Sequence, residues 1–156
     1  MAAFSDTAEN KILDWFFRAQ AIGITGASAA AGTGPANLYI GLLTATPTDN
    51  TAGTEVTGNA YARVTVASSL ANWAGTQGAA TTVASSGTSG TTSNNNVLTY
   101  PTPTPAGWGT VVAVAIYDAV TGGNLLIYSA LTASKVINVG DTVTFPAASL
   151  TFQLDN

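Results

Sequence analysis

The hydrophobic period of this sequence changes once, near residue 37, and never changes back. Before that point Ile12, Leu13, Trp15, Phe16 and Ala19 recur at helical spacing; after it the apolar residues alternate or run in short blocks. A chain with one early helix and then strands alone has no helical crossovers from which to build a parallel sheet. The expectation is therefore an all-β fold, an antiparallel β-sandwich of jelly-roll type, carrying one N-terminal α-helix.

The helix should run from about Asp6 to Ala21. Asp6 and Glu9 have the spacing of a capping box, with Ser5 as a competing cap. Lys11 with Asp14, and Asp14 with Arg18, fall three and four residues apart and are placed on the outer face. Trp15, Phe16 and Phe17 are consecutive and cannot share one narrow stripe, so one of them should meet a second surface, this domain's sheet or another subunit.

Strand patterns occur at 37–44, 61–67, 97–100, 110–119, 124–131, 135–139, 142–145 and 150–154. The run TVVAVAIY is apolar on both faces and should be central or covered by the helix, and Gly122-Gly123 suits a two-residue hairpin turn with positive φ at both positions. Two stretches, 23–36 and about 72–96, are rich in Gly, Ala, Ser, Thr and Asn and offer little to bury. The organisation read from this is a helix over 1–22, a flexible arm over 23–36, and a β-sandwich domain over 37–156 with a low-complexity insertion at 72–96.

The chain has no histidine and no cysteine. That removes the commonest general base and metal ligand together with the best nucleophile, disulfides and thiolate metal sites. Carboxylate chemistry would have to use Asp6, Glu9, Asp14, Asp49, Glu55, Asp118, Asp141 or Asp155, and helix caps, helix pairs and turns account for most of them. A Ca²⁺ site from Asp49, Asn50, Thr51 and Glu55 matches no EF-hand spacing. GTGP at 32–35 and SGTSG at 86–90 lack the strand–helix setting and the lysine of a phosphate cradle. No enzyme, cofactor or metal is expected. Four scattered basic residues and a net charge of −4 argue against nucleic acid, and neither a signal peptide nor a membrane-spanning run is expected.

Charged residues make up 8% of the chain, against roughly 25% in ordinary domains. A hydroxyl-rich surface with so little charge to desolvate suits close packing against neighbours. The candidate contact residues are Trp15, Phe16, Phe17, Arg63, Trp73 and Trp108. Arg63, the one charge in a strand pattern, either pairs with Glu55 or a neighbour's acid, or lays its stem over apolar surface. Trp73, Tyr100 and Trp108 could stack on sugars, though core or interface anchoring is the commoner use of such rings.

Read jointly, SDTAENKILDWFF, TATPTD, GTEVTG with YAR, WGTV, and TGGNLL followed by SK and GDT resemble a family of small tailed-bacteriophage virion proteins often labelled tail-fibre proteins. The resemblance covers about 5–17, 38–64 and 108–145 and fails over 23–36 and 69–95. It implies a structural role in the virion without catalytic residues, the protein being made in the host cytoplasm. Small size and the lack of a shaft or coiled coil favour a capsid cement or decoration protein on the outer surface of the head, a dimer or trimer bridging subunits of the major capsid protein. A tail-fibre or baseplate component touching the host is the alternative, and a carbohydrate-binding module is the second.

Overall fold

The computed structural model describes residues 4–23 and 34–154. Its elements are one helix, α1 (Asp6–Arg18), and nine strands: β1 (Asn37–Ala45), β2 (Thr54–Glu55), β3 (Val64–Ala67), β4 (Thr91–Ser93), β5 (Leu98–Thr99), β6 (Gly109–Tyr117), β7 (Leu125–Ile137), β8 (Thr144–Phe145) and β9 (Thr151–Gln153). The fold is thus all-β with a single N-terminal helix. The β1–β2, β1–β6, β6–β7 and β4–β9 ladders are antiparallel. The main sheet has five strands in the order β2-β1-β6-β7, with β3 also on β1. None of the described helices is long and apolar enough to cross a membrane.

The chain falls into two compact units, each drawn from separated stretches. One compact unit draws on Met1–Asn37, Ala67–Leu98 and Phe145–Asn156, the other on Leu38–Val66 and Thr99–Thr144. Most of the proposed arm at 23–36 lies outside the described residues.

In the first unit Ser5, and not Asp6, caps α1, its Oγ accepting from the Ala8 N–H at 3.4 Å. The helix ends three residues earlier than expected because Ala19 turns left-handed (φ 52°), letting Gln20 N–H donate to the Asp14 carbonyl at 3.0 Å in a Schellman-like closure. Leu13 and Phe17 face inward, but so do Glu9, Asp14 and Arg18. Phe17 packs on Trp73 and Phe152 with centroids 4.9 and 5.0 Å away. Gly34 lies so close to the helix that a Cβ there would sit 1.8 Å from the Trp15 carbonyl oxygen.

In the second unit β6 is central, flanked by β1 and β7, as its two apolar faces require. Leu43, Ala113, Ala115 and Tyr117 form one core cluster, with Tyr39, Val112, Leu125 and Tyr128 packed against it. The two strands expected at 124–131 and 135–139 are one element, β7, yet its ladder pairs Ala130 with Ala113 and Lys135 with Val111. The four residues Leu131–Ser134 stand opposite Val112 alone, three more than the register needs, a bulge where a break was expected. Gly122 and Gly123 both have positive φ (61° and 73°), but the loop is wider than a two-residue turn. It is closed by Asp118, whose carboxylate accepts from the Asn124 backbone N–H and side-chain amide, each at 2.7 Å.

Candidate functional site

The described charge clusters are two arginine locks, one in each unit. In the second unit, β2 contributes Glu55, the turn before β3 contributes Tyr61 and Arg63, and the end of β6 contributes Tyr117. Arg63 donates from Nε to Glu55 Oε1 at 2.8 Å and from Nη2 to Oε2 at 2.7 Å, the bidentate fork that a planar guanidinium favours. Its Nη1 donates to the carbonyls of Ala119 and Gly122 at 2.6 and 2.8 Å, holding the β6–β7 loop down. The guanidinium carbon lies 3.4 Å from the Tyr117 ring centroid, a cation–π stack.

Tyr61 fixes the carboxylate from the other side. Its hydroxyl donates to Glu55 Oε1 at 2.9 Å and accepts from the Leu42 N–H at 2.8 Å. Burial, with the negative charge and hydrogen bond of Glu55, pushes the Tyr61 phenol far above its ordinary range. Burial alone acts to discharge Arg63, but the hydrogen bonds and charge of Glu55 outweigh it and its pKa is raised. Room for this cluster depends on Gly41, where a Cβ would meet Glu55 Oε1 and Tyr117 at 2.9 Å. Beside the lock opens a cleft of about 310 Å³, lined by Glu55, Val56, Gly58, Tyr61, Ala62, Arg63, Val120 and Thr121 among others.

In the first unit the lock is closed. Arg18 is 0% exposed and pairs with Asp14 at 2.6 Å. It donates to the carbonyls of Trp73 (3.1 Å) and Val83 and to Ser85 Oγ (3.0 Å). Asp14 accepts in turn from the Ser85 N–H and hydroxyl at 2.8 and 2.6 Å. One turn away Asn10 donates to the Gly87 carbonyl and accepts from Thr76. The low-complexity stretch 72–96 is therefore hydrogen-bonded onto α1, and Asp14 and Arg18 sit on the inner face of the helix instead of the outer one.

Of the candidate contact residues, Phe17 (2% exposed), Trp73 (0%) and Trp108 (6%) are buried within their own units. Trp108 donates from Nε1 to the Asn59 carbonyl at 3.0 Å, and Tyr100, also buried, donates to the Ile40 carbonyl. A sugar platform on Trp73, Tyr100 and Trp108 is absent, because these rings fill cores. Trp15 and Phe16 are half-buried, and Arg63 takes the Glu55 pairing. In the loop weighed for Ca²⁺, Asp49 accepts from the Tyr128 hydroxyl at 3.0 Å and Glu55 is engaged by Arg63. Among the described residues no group of three or more Asp and Glu gathers to hold a metal. Tyr61, Tyr117 and Gly41 were not singled out from sequence; the spacing of Tyr61 and Arg63 in YAR is the one local signal that pointed there.

The class defined so far is a small antiparallel β protein with one helix, its two arginines engaged by its own carboxylates and carbonyls. The family model described as Podophage GP4 fiber I protein gp80 matches residues 3–153, and the chain belongs to that family of phage structural proteins. The matched range runs through both low-complexity stretches, where the motif resemblance had stopped. No curated protein matches the chain.

Proposed function

We propose that the chain is a component of the tail-fibre apparatus of a podophage, assembling with copies of itself and working by contact and not by catalysis. The observation that carries this is the match of residues 3–153 to a family described as a fibre protein. The use of charge supports the non-catalytic part. Arg18 with Asp14, and Arg63 with Glu55, are spent on holding loops in place. A head-cement role drew on uncharged arms free to staple capsid subunits; with 72–96 bonded onto α1, that segment offers no such staple.

The test is competition. Purified chain added to host cells before infection should slow adsorption of the phage in a dose-dependent way. Unchanged adsorption, together with heads that rupture more readily when the gene is deleted, would overturn the fibre reading in favour of cement.

A further inference from the structure

The cleft beside the Arg63–Glu55 lock has a floor whose hydrogen-bonding capacity is incompletely used. A guanidinium carries five N–H donors. Among the described residues Arg63 uses Nε once, Nη1 twice and Nη2 once, which leaves one N–H on Nη2. A carboxylate has about four acceptor positions. Glu55 Oε1 takes bonds from Tyr61 and Arg63, while Oε2 takes only one, from Nη2. A spare donor and a spare acceptor thus lie on atoms 2.7 Å apart, and both side chains line the cleft. Glu55 retains 22% and Arg63 5% of side-chain exposure.

The walls narrow the ligand further. Val56, Ala62, Val120 and the Tyr61 ring are apolar, and Thr57 and Thr121 add hydroxyls at the rim. An anionic group aimed at the floor meets the Glu55 carboxylate, and a cationic one meets Arg63, so charge of either sign is disfavoured. A ligand with one donor and one acceptor side by side, no net charge and a C–H face against apolar walls is a vicinal diol on a saccharide ring. We propose that this cleft binds a neutral sugar, its two adjacent hydroxyls bridging Glu55 Oε2 and Arg63 Nη2. Both groups are preorganised: the Tyr61 hydroxyl, itself held by the Leu42 N–H, orients the carboxylate, and the Ala119 and Gly122 carbonyls hold the guanidinium. This goes beyond the fibre reading and stands on the geometry of the second unit alone.

The experiment is amide NMR titration of the full chain with glucose, galactose, mannose and N-acetylglucosamine, each separately, and with glucuronate and glucosamine as charged counterparts. At least one neutral sugar should give saturable shifts clustered at 55–63 and 118–124, with binding of its charged counterparts about tenfold weaker. Val120→Trp and Ala62→Trp change exposed positions on the cleft wall and leave the lock intact; each should abolish the shifts while the thermal melt stays in place. No saturable shift with any neutral sugar, shifts centred elsewhere, or binding that survives both Trp variants would overturn the proposal. Failure here is separable from failure of the fibre reading, which is judged by adsorption competition.

Discussion

Arg18 and Arg63 each bind one carboxylate and two backbone carbonyls, but in different settings. Arg18 has 0% and Asp14 8% side-chain exposure, whereas Arg63 has 5% and Glu55 22%. The first lock joins a helix to 72–96, a stretch with almost no apolar side chains of its own. Trp73 apart, that coil has little to bury, so carbonyls and hydroxyls gathered by Asp14, Arg18 and Asn10 take the place of a hydrophobic contact. The second lock is added to a sheet that already has an apolar core, and it orients a loop and one wall of a cleft. The same ion pair is thus glue in one unit and positioning in the other.

Breaking the glue should cost most. Arg18→Leu leaves the Asp14 carboxylate and the Trp73 and Val83 carbonyls without that donor, and about 3–5 kcal/mol of stability should be lost in urea unfolding. A loss under about 1 kcal/mol would mean that 72–96 is held by other means. Glu55→Ala strands Arg63, but nearer to solvent and with two carbonyls still in place, so about 2 kcal/mol is expected. Gly41→Ala attacks the second lock sterically, and about 1–2 kcal/mol should follow from overpacking against Glu55 and Tyr117.

Alkali separates the units in another way, since all five tyrosines, Tyr39, Tyr61, Tyr100, Tyr117 and Tyr128, belong to the second. Burial raises the phenol pKa of both Tyr61 and Tyr100. The stability that follows is complete below the unfolded value of about 10 and is lost as pH climbs from there toward the folded values, because only the unfolded chain ionises easily. In a phenolate absorbance titration Tyr61 and Tyr100 should ionise together with unfolding; smooth ionisation of every tyrosine in the folded protein would contradict their burial. The smallest effect is optical: a neutral quencher should reach half-buried Trp15 and spare Trp73 and Trp108.

What could be read from sequence was local. The apolar run of β6 and the positive φ of Gly122 and Gly123 follow from residues within a few positions of each other, and Ser5 was one of two readings of the cap beside Asp6. The face of Asp14 and Arg18 did not, because four-residue spacing is the same on either side of a helix and only the carbonyls of 72–96 draw the pair inward. Thr54–Glu55 and Thr91–Ser93 are too short and polar to signal strands. The candidate site was half visible: Arg63 with Glu55 was one of two readings, while Tyr117 and Gly41 join it through the β1–β6 register that sets Gly41 opposite Ala115. The bulge at 131–134 likewise has no mark of its own beyond the break between two strand patterns.

The most direct test of the account is the position of the chain on intact particles. Antibody raised to the purified protein and coupled to gold should label the tail end of the virion in electron micrographs. Label spread over the head lattice, with none at the tail, would contradict the fibre assignment.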